Sequence, residues 1–343
     1  MFPAAKPATL KDIASRLGIS CRAVSMGING TGRLSAATRE KILATARELD
    51  YVPNVVARSL VMRKSYLIGA VVPYINKSFF ANIIAGIEDV VFERDFSLIL
   101  ANFYPGIENE RQAFRHLLKR KIDGVVITPG KDLIEDYCEL AAAMPVVQIM
   151  DHLPEVGSHF VMVDNDRGAR TAARHLLELG HRRIGLICHK DEPLPIRQRQ
   201  AGFCDELKKA GYELSREYIE DGQMSILGGE TAAHRLLARA PELTALFAVS
   251  DYAALGAIRA ALKMEYRIPE DLSVIGFDDL EIAAEQLLYP LTTIAQPKEE
   301  IGHLAGNMLL DLLQGKATAS RLLDAPLVVR ATTAPCKKDS FGA

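Results

Sequence analysis

Apolar residues recur at helical spacing near the start of the chain. Leu10, Ile13 and Leu17 fall on one face of a predicted helix, with Thr9 placed to cap its start and Gly18 to end it. The run "SCRAVSMGIN" follows after one residue, with Ser20 as the expected N-cap. We therefore predict two short helices joined by a tight turn that contains glycine.

A third helix is predicted in "SAATREKILATARELD", with Ser35 as its N-cap and Ile42, Ala46 and Leu49 facing a core. Two helices joined by a tight turn, with a third closing the core, form the helix-turn-helix pattern. The next run, "YVPNVVARSLVMRKS", breaks this helix and has room for only one or two further turns. Helices this short are marginal alone in water, so the run is read as a hinge.

From residue 66 onward the pattern changes to short buried runs separated by amphipathic stretches. Seven runs predict strands: "YLIGAVVP", "FSLILANF", "DGVVITP", "PVVQIM", "RIGLIC", "ALFAVS" and "LSVIGF". The alternation of strand and helix predicts parallel sheets with helices on both faces. About 260 residues is long for one such sheet, so the sequence predicts an α/β fold with two doubly wound subdomains.

Charge is distributed unevenly along the chain. Residues 1–64 contain 11 Lys and Arg against 4 Asp and Glu, although the formal net charge of all 343 residues is −2. A small basic segment ahead of an acidic body predicts that only this segment meets a polyanion. The alternatives are a merely solvated basic surface and an inert three-helix bundle; the polar face of the second helix favours DNA.

The sequence motifs do not indicate an enzyme or a metal centre. Five cysteines without a close pair predict independent, reduced thiols. No G-x-G-x-x-G follows the first strand, and G-x-x-x-x-G-K-[ST], G-x-S-x-G and H-E-x-x-H do not occur. We therefore predict no catalytic residues, no metal and no cofactor. No apolar run is long enough to span a membrane, so a cytoplasmic protein is expected.

In their order, several segments resemble the lactose/galactose repressor family of bacterial transcription regulators. They are "TLKDIASRLGIS", "VS", "ING", "LSAATREKILATARELDYVPN", "ARSL", "HLLELGHRRIGLI", "RQRQAGF", "SDYAALGAIRAAL", "LSVIGFDDLEIA" and "PLTTIAQP". The resemblance covers roughly residues 9–331. It implies operator-DNA binding as a homodimer, with a small molecule, often a sugar or nucleobase, bound between two subdomains like those of periplasmic binding proteins.

The resemblance also implies a domain organisation. A helix-turn-helix head is expected at residues 1–50, a hinge helix at 51–64, an effector-binding core at 65–331 and a loose tail at 332–343. Within the core, the N-subdomain is expected at about 65–163 and 293–321. The C-subdomain is then expected at about 164–292 and 322–331.

For DNA, the resemblance places the second helix in the major groove. Cys21 and Arg22 occupy the two positions most used to choose sequence, and Arg22 is suited to a bidentate contact with guanine. The residues that match backbone contacts are Ser20, Ser25, Asn29 and Thr38. Those that match the hinge are Asn54, Ala57 and Leu60, where Leu60 resembles a wedge between central base pairs or, alternatively, caps the core.

Three residues of the second helix depart from the family pattern. Ala23 replaces a usual Thr, Met26 replaces a usual Arg, and Gly27 stands where Val or Ala is usual. The first two remove a phosphate contact and a base contact, and Gly27 is expected to loosen the helix by about 0.5–1 kcal/mol. The preferred operator should therefore differ from the common one of the family.

In the core, eight residues match effector contacts of the family: Tyr74, Phe79, Phe80, Asp151, Arg197, Met224, Asp251 and Asp278. The carboxylates and the arginine suit a hydroxyl-rich or anionic ligand. Asp251 has the equal alternative of a helix N-cap, and Tyr74 and Met224 the alternative of plain packing. The aromatic residues keep a nucleobase or an aryl glycoside open as the effector.

The sequence thus predicts a ligand-responsive DNA-binding transcription regulator, most readily a repressor, that binds a pseudo-palindromic operator. Two other classes use the same cleft: a solute-binding protein and an enzyme. The basic head argues against the first, and the lack of a nucleophile–base pair or metal site argues against the second. The identity of the effector, and whether it releases or tightens DNA, cannot be predicted from the sequence.

Overall fold

We analysed a computed structural model of the 343-residue chain. The structure describes residues 8–51, 64–104, 106–190, 194–285 and 288–337. The chain divides into two compact units, Met1–Ser65 and Tyr66–Ala343. Asn54, Ala57 and Leu60 of the expected hinge lie outside the described residues.

The first unit contains three described helices: α1 (Leu10–Leu17), α2 (Cys21–Asn29) and α3 (Ala36–Glu48). Thr9 caps α1 in a capping box with Asp12, and α1 and α2 both end on a glycine in the left-handed conformation, Gly18 and Gly30. Ser20 and Ser35 cap α2 and α3 through their side chains. Every N-cap predicted for the head is confirmed.

The helices of the head pack around a small apolar core. Ile13, Val24 and Ile42 are fully buried, one from each helix, and Ala14 and Ala46 complete the cluster. Burying a side chain of this size contributes about 1.5–3 kcal/mol. So few such residues make a core that is marginal by itself.

The second unit contains two six-stranded sheets. In spatial order the first sheet consists of β2 (Ser97–Phe103), β1 (Leu67–Pro73), β3 (Gly124–Ile127), β4 (Val146–Ile149), β5 (Phe160–Val163) and β11 (Arg321–Leu323). The second consists of β7 (Ile219–Asp221), β6 (Ile184–Cys188), β8 (Ala245–Ala248), β9 (Ser273–Asp278), β10 (Thr292–Ala295) and β12 (Leu327–Val328). Among the described residues, neighbouring strands pair in parallel, except that β12 is antiparallel to β10.

Nine described helices connect these strands and cover the sheets. They are α4 (Ser78–Glu93), α5 (Ile107–Leu118), α6 (Ile134–Ala143), α7 (Asn165–Glu178), α8 (Leu194–Lys209), α9 (Ile226–Arg239), α10 (Asp251–Lys263), α11 (Glu281–Ala284) and α12 (Lys298–Leu313). On the first sheet, alternate residues of β1 face different clusters: Ile68, Ala70 and Val72 pack with α4 and α12, whereas Val71 packs with α5 and α6. The predicted α/β fold with two parallel sheets is confirmed.

Helices α4 and α12 approach each other at two glycines. A Cβ atom added at Gly302 would overlap the carbonyl oxygen of Ile83, and one added at Gly86 would overlap that of Glu299. Because these neighbours are backbone atoms, no side-chain rotation could make room. The two glycines therefore set the distance between the helices.

The chain crosses between the two sheets three times, after β5, after β10 and after β11. The first crossing agrees with the expected boundary after residue 163. The other two lie later than expected: residues 293–295 belong to the second sheet and residues 322–323 to the first. Backbone hydrogen bonds tie the crossings together, from Asp164 N to Leu323 O at 2.8 Å and from Ala295 N to Pro326 O at 2.7 Å.

The expectation of a loose tail from residue 332 is wrong for its first part. Thr332 is fully buried, and its hydroxyl donates to the carbonyl oxygen of Val274 at 2.7 Å. The backbone N–H groups of Ala334 and Cys336 donate to Ser273 Oγ at 3.1 Å and to Leu179 O at 2.8 Å. Residues 332–336 are thus part of the second subdomain. They were predicted to be loose because the segment has few apolar residues, but hydrogen bonds of hydroxyl and backbone groups hold it in place.

Among the helices built from the described residues, none combines the length and the apolar character needed to cross a lipid bilayer.

Candidate DNA-contact helix and ligand cleft

Helix α2 presents two polar side chains at its start. The hydroxyl of Ser20 accepts a hydrogen bond from Ala23 N at 3.2 Å, which fixes the first turn. Cys21 and Arg22 follow directly, and both are exposed. The capped first turn thus holds the two predicted base-contacting residues on the surface of the head.

The predicted backbone-contact residues have local partners within the head. Asn29 Nδ2 donates to Ser25 O at 2.9 Å and to Ser25 Oγ at 3.2 Å. Thr38 Oγ1 lies 2.7 Å from Ser35 Oγ at the start of α3. These bonds orient the side chains, and they also give each of these residues a structural role.

The structure supplies a packing reason for Gly27, one of the three departures in α2. Gly27 is buried, and a Cβ atom at this position would lie 2.5 Å from Cδ1 of Ile42. Gly27 lowers the helix propensity of α2, but the absence of a side chain at this position lets α2 pack closely against Ile42 of α3. Met26 packs its terminal methyl over Gly32, in the turn after α2, so this side chain folds back on the head.

In the second unit, the carboxyl ends of strands from both sheets border one cleft. Tyr74, Thr128 and Asp151 follow β1, β3 and β4 of the first sheet. His189 follows β6, and Asp278 ends β9, in the second sheet. Open α/β sheets bind ligands at this edge. We call the space between these strand ends the ligand cleft.

Arg199 is a buried arginine of the second subdomain that lies beside Asp278 at the end of β9. Its Nη1 atom donates to Asp278 Oδ1 at 3.0 Å and to Val249 O at 2.7 Å, and Nε donates to Asn165 Oδ1 at 2.8 Å. Its guanidinium carbon lies 3.8 Å from the ring centroid of Phe277. Burial lowers the pKa of Arg199, and the carboxylate of Asp278 opposes this effect.

Asp278 is the carboxylate best placed for a ligand. It is 6% exposed, and its Oδ1 accepts both from Arg199 and from Gln296 Nε2, at 2.7 Å. Burial raises its pKa, and Arg199 opposes this. A φ of +128° is rare for a residue with a side chain, and such strained backbone is concentrated at functional sites. Oδ2 accepts no hydrogen bond from the described residues and so keeps its lone pairs for a ligand.

The prediction of Arg197 as the binding arginine is corrected by this geometry. Arg197 is exposed in the first turn of α8, whereas the arginine that reaches Asp278 is Arg199. Arg197 does lie close enough to Asp151 to lower the pKa of that carboxyl, although burial of Asp151 raises it more. The sequence held a signal: Ile196, Phe203 and Leu207 are buried at helical spacing, and this stripe passes through 199 rather than 197.

Asp251 is neither a helix cap nor a cleft residue. Ser250 caps α10 by accepting from Ala253 N at 3.3 Å. The fully buried Asp251 accepts from Thr293 Oγ1 at 2.6 Å and from Leu280 N at 2.7 Å. Its two oxygens therefore join the first residue of α10 to β10 and to the segment after β9, and both predicted roles are corrected.

Asp251 gives a pH-dependent stability. Burial and the nearby carboxylate of Asp278 raise its pKa to about 7. Since the folded state holds this proton more tightly than the unfolded state, its stabilising effect is complete below about pH 4 and is lost as pH rises to about 7. Asp251→Asn should reduce the fall in the free energy of unfolding between pH 5 and pH 7.5, measured by urea denaturation. Equal falls in both proteins would contradict the assignment.

The aromatic candidates divide between the core and the cleft. Phe79 is 8% exposed and belongs to the core, and the half-buried Phe80 packs edge-on against it with ring centroids 5.2 Å apart. Tyr74 is half-buried with a φ of +50°, next to Tyr104 at 6.1 Å. Phe80 and Tyr74 thus keep surface for a ligand, whereas Phe79 supports them from below.

Two residues that the sequence analysis did not identify join the subdomains across the cleft. Lys77 Nζ lies 3.5 Å from Met224 O and 5.0 Å from the ring centroid of Tyr252. The hydroxyl of Tyr252 lies near Ser78. Lysine before a helix and tyrosine inside one are common on surfaces, so neither gave a sequence signal. The buried hydroxyl of Thr128, which has no hydrogen-bond partner among the described residues, was also missed.

Comparison with known proteins agrees with both units. A family model for bacterial regulatory proteins, lacI family, matches residues 9–54, and a model for a periplasmic binding protein-like domain matches residues 173–333. The ribose operon repressor of Haemophilus influenzae is 34% identical over 307 residues, which cover 90% of this chain and 92% of that repressor. The transcriptional repressor CytR of Escherichia coli is 33% identical over 332 residues, covering 95% and 96%.

Among solved structures, the Lac repressor dimer bound to operator and the anti-inducer ONPF superposes with a TM-score of 0.86 at 31% identity. The similarity covers 96% of this chain and 100% of that chain. Because relatives above 30% identity match the chain over nearly its whole length, the protein belongs to the lacI family of bacterial regulatory proteins.

Proposed function

We propose that this protein represses transcription by binding operator DNA as a homodimer, and that a small molecule in the ligand cleft changes its DNA affinity. The observation that carries the proposal is the presence, on one chain, of an exposed, capped contact helix and a cleft whose floor holds the Arg199–Asp278 pair. The relatives are named repressors of transcription, which supports the same conclusion.

The DNA contacts are proposed from the resemblance, and the exposure of Cys21 and Arg22 at the start of α2 supports them. Arg22 is proposed to read guanine, and Cys21 to contact a thymine methyl group or no base. Ser20, Ser25, Asn29 and Thr38 are proposed to contact the DNA backbone and so to fix register. For Asn54, Ala57 and Leu60 the proposal rests on the resemblance alone, with Leu60 as the minor-groove wedge.

For the effector, we propose a hydroxyl-bearing ring held by Asp278 and Thr128, with Phe80 and Tyr74 against its face. Carboxylate and guanidinium groups make strong, directional hydrogen bonds to hydroxyl groups, and aromatic rings pack against the apolar face of a sugar or base. The Haemophilus relative is named a ribose operon repressor, which is compatible with such a ligand. Asp151, Arg197 and Met224 are proposed to border the same cleft.

The homodimer is proposed to form through the outer edge of the first sheet. Edge strand β2 and α5 border a groove of about 680 Å³ with apolar and basic walls, and Leu100 beside it is 38% exposed. An uncovered edge strand is suited to pairing with another chain. The similar Lac repressor is a dimer, which supports a second copy as the partner.

The relatives are regulators rather than enzymes. We propose that this chain likewise carries out no catalysis, and that it acts in the cytoplasm, where operator DNA is found.

The experiment that tests the function is a fluorescence anisotropy titration of the protein with DNA from its own promoter region, with and without sugars and nucleosides. We expect nanomolar binding that at least one compound shifts. A solute-binding protein would bind the compound but not the DNA, and an enzyme would convert the compound. Either result would replace the proposed function.

Arg22→Ala should relax the sequence preference at one base pair in each half-site. The lost bidentate contact is worth on the order of 1–3 kcal/mol of discrimination. Binding-site selection from a random DNA library measures this directly. Lys11→Ala, an exposed cation of α1, is the control and should leave the selected sequence unchanged. An unchanged selection profile for the Arg22 variant would show that another residue reads this base.

A further inference from the structure

Lys77 occupies a position that helix stability does not explain. It is the N-cap residue of α4 and makes no side-chain capping bond. Good N-caps are Ser, Thr, Asp and Asn, and a positive charge at this end opposes the helix dipole. A lysine here costs helix stability, so its presence calls for another role.

The ammonium group of Lys77 points into the ligand cleft. Nζ lies 4.6 Å from the ring centroid of Tyr74 and 5.0 Å from that of Tyr252. The hydrogen bond that its ammonium group makes to Met224 O, at 3.5 Å, is long. Within the described ranges, no carboxylate lies at ion-pair distance from it. Burial lowers the pKa of Lys77, and the more distant Asp278 opposes this effect.

The other cations that border the cleft differ in their contacts. Arg199 is paired with Asp278 at 3.0 Å, and Lys298 Nζ donates to the carbonyl oxygens of Asp278 and Asp279, at 2.8 and 2.7 Å. Arg197 is exposed and acts on Asp151 through its charge. Lys77 therefore carries a half-buried positive charge that a ligand could engage without breaking an existing ion pair among the described residues.

The first turn of α4, next to Lys77, lies close to a side chain of the opposite subdomain, Tyr252. Burial raises the pKa of the Tyr252 hydroxyl, and the nearby hydroxyl and backbone N–H of Ser78 oppose this effect. Both Ser78 groups are hydrogen-bond donors, and the ammonium group of Lys77 lies over the ring of the same tyrosine. Two donors and an ammonium group at the start of one helix form a site suited to an anionic oxygen.

We propose that Lys77 determines effector specificity, and that the effector carries an anionic oxygen group, a phosphate ester or a carboxylate, bound by Lys77 and Ser78 in place of the Tyr252 hydroxyl. The inference deepens the proposed function and rests on it, because it assigns a chemical class to the ligand of the same cleft. The neutral, hydroxyl-bearing part of the effector then extends toward Asp278.

This exchange also couples ligand charge to the arrangement of the subdomains. Without ligand, Ser78 and Lys77 of one subdomain lie close to Tyr252 and Met224 of the other. An anionic group that takes over Ser78 and Lys77 removes both contacts and replaces them with contacts through the ligand. A ligand shifts the equilibrium between two arrangements of the subdomains only if it binds one of them more tightly. The contacts of the anionic group provide this difference in affinity.

The test uses the full-length protein and matched pairs of compounds: ribose with ribose 5-phosphate, adenosine with adenosine monophosphate, and glucose with glucose 6-phosphate and glucuronate. Isothermal titration calorimetry gives each Kd in 0.1 M salt. In at least one set the anionic member should bind about tenfold or more tightly than the neutral one, as expected for charge-assisted hydrogen bonds. The phosphate and carboxylate members of the glucose set distinguish the two anionic groups.

Lys77→Met should remove this preference, and Lys77→Arg should retain most of it. Lys208→Met, an exposed lysine of α8, should behave as the parent protein. Thermal melting of each variant confirms folding, and the arginine variant keeps the test valid if the methionine variant does not fold. A preference that survives Lys77→Met, or neutral members that bind as tightly as anionic ones in every set, would overturn the proposal, as would the failure of every anionic compound to bind.

The same compounds distinguish failure of this inference from failure of the proposed function. If a neutral member shifts operator affinity and its anionic counterpart does not, the inference fails and the repressor function stands. If anionic compounds bind through Lys77 but no compound changes operator affinity, the inference holds and the ligand-responsive function fails.

Discussion

Replacing Arg199 by methionine is expected to abolish the response to effector and to destabilise the core by about 3–5 kcal/mol. The substitution leaves the buried carboxylate of Asp278 without its cation and Asn165 Oδ1 and Val249 O without a donor. Removing one member of a buried ion pair has a cost of this size because the remaining charge stays in a poorly solvated site. Chemical denaturation of the effector-binding core and operator titrations with effector measure the two effects.

Arg197→Met is the matched control for this experiment. Arg197 is exposed two residues earlier in α8, so its loss should change the free energy of unfolding by about 1 kcal/mol or less. The double variant Arg199→Met with Asp278→Asn should recover part of the stability, because the unpaired charge is gone, but not the effector response. Equal effects of the two arginine variants would contradict the assignment of Arg199 as the buried anchor.

Replacing Gly302 by valine is expected to destabilise the core by about 3 kcal/mol or more. The new side chain would overlap the carbonyl oxygen of Ile83, and relief requires that α4 and α12 move apart. Overpacking a core typically lowers the free energy of unfolding by about 1–3 kcal/mol. The loss at Gly302 should lie at the upper end of this range, because the neighbour is a backbone atom that cannot rotate away. Asn307→Val, on the exposed face of α12, is the control and should have a small effect. Comparable midpoints of urea unfolding for both variants would show that the helices separate easily.

The head helices and the strands β1, β2, β3, β4, β6, β8 and β9 could be predicted from the sequence because their signals are local. Thr9, Ser20 and Ser35 sit directly before apolar periodic segments, and each proved to be an N-cap. The seven predicted strands are mostly apolar runs, and all of them except the edge strand β2 are largely buried, as strands covered on both faces must be. The local sequence was sufficient to predict an element wherever its own apolar residues show that it is buried.

Strands β7, β10, β11 and β12 could not be predicted because their burial depends on distant partners, and the short run of β5 was also missed. Strand β11 is mostly exposed and β7 only half-buried, so neither has an apolar run. In β10, Thr292 and Thr293 are fully buried because Thr332, Thr333 and Asp251 satisfy their polar groups. The same reason explains Asp251 itself: its partners at 280 and 293 come from other elements, so its sequence neighbourhood suggested only a cap.

The candidate site was predictable in its general location but not in its chemistry. The rule that ligands bind at the carboxyl ends of parallel strands located the cleft, and Asp278 and Asp151 lie there. Choosing between Arg197 and Arg199 required the direction of each side chain on α8. Finding Lys77 and Tyr252 required knowing which surfaces of the two subdomains meet, which is tertiary information.

The three chain crossings have a consequence for how the molecule is assembled during synthesis. The first sheet receives its last strand, β11, only after the whole second sheet except β12 has been made, and α12, which covers the glycine face of α4, begins at Lys298. A nascent chain that ends earlier leaves that face of α4 and the edge of β5 uncovered. Contacts so distant in sequence slow folding and expose apolar surface to other chains. The first subdomain, although its strands are synthesised first, is completed on the ribosome only when nearly the entire chain has emerged.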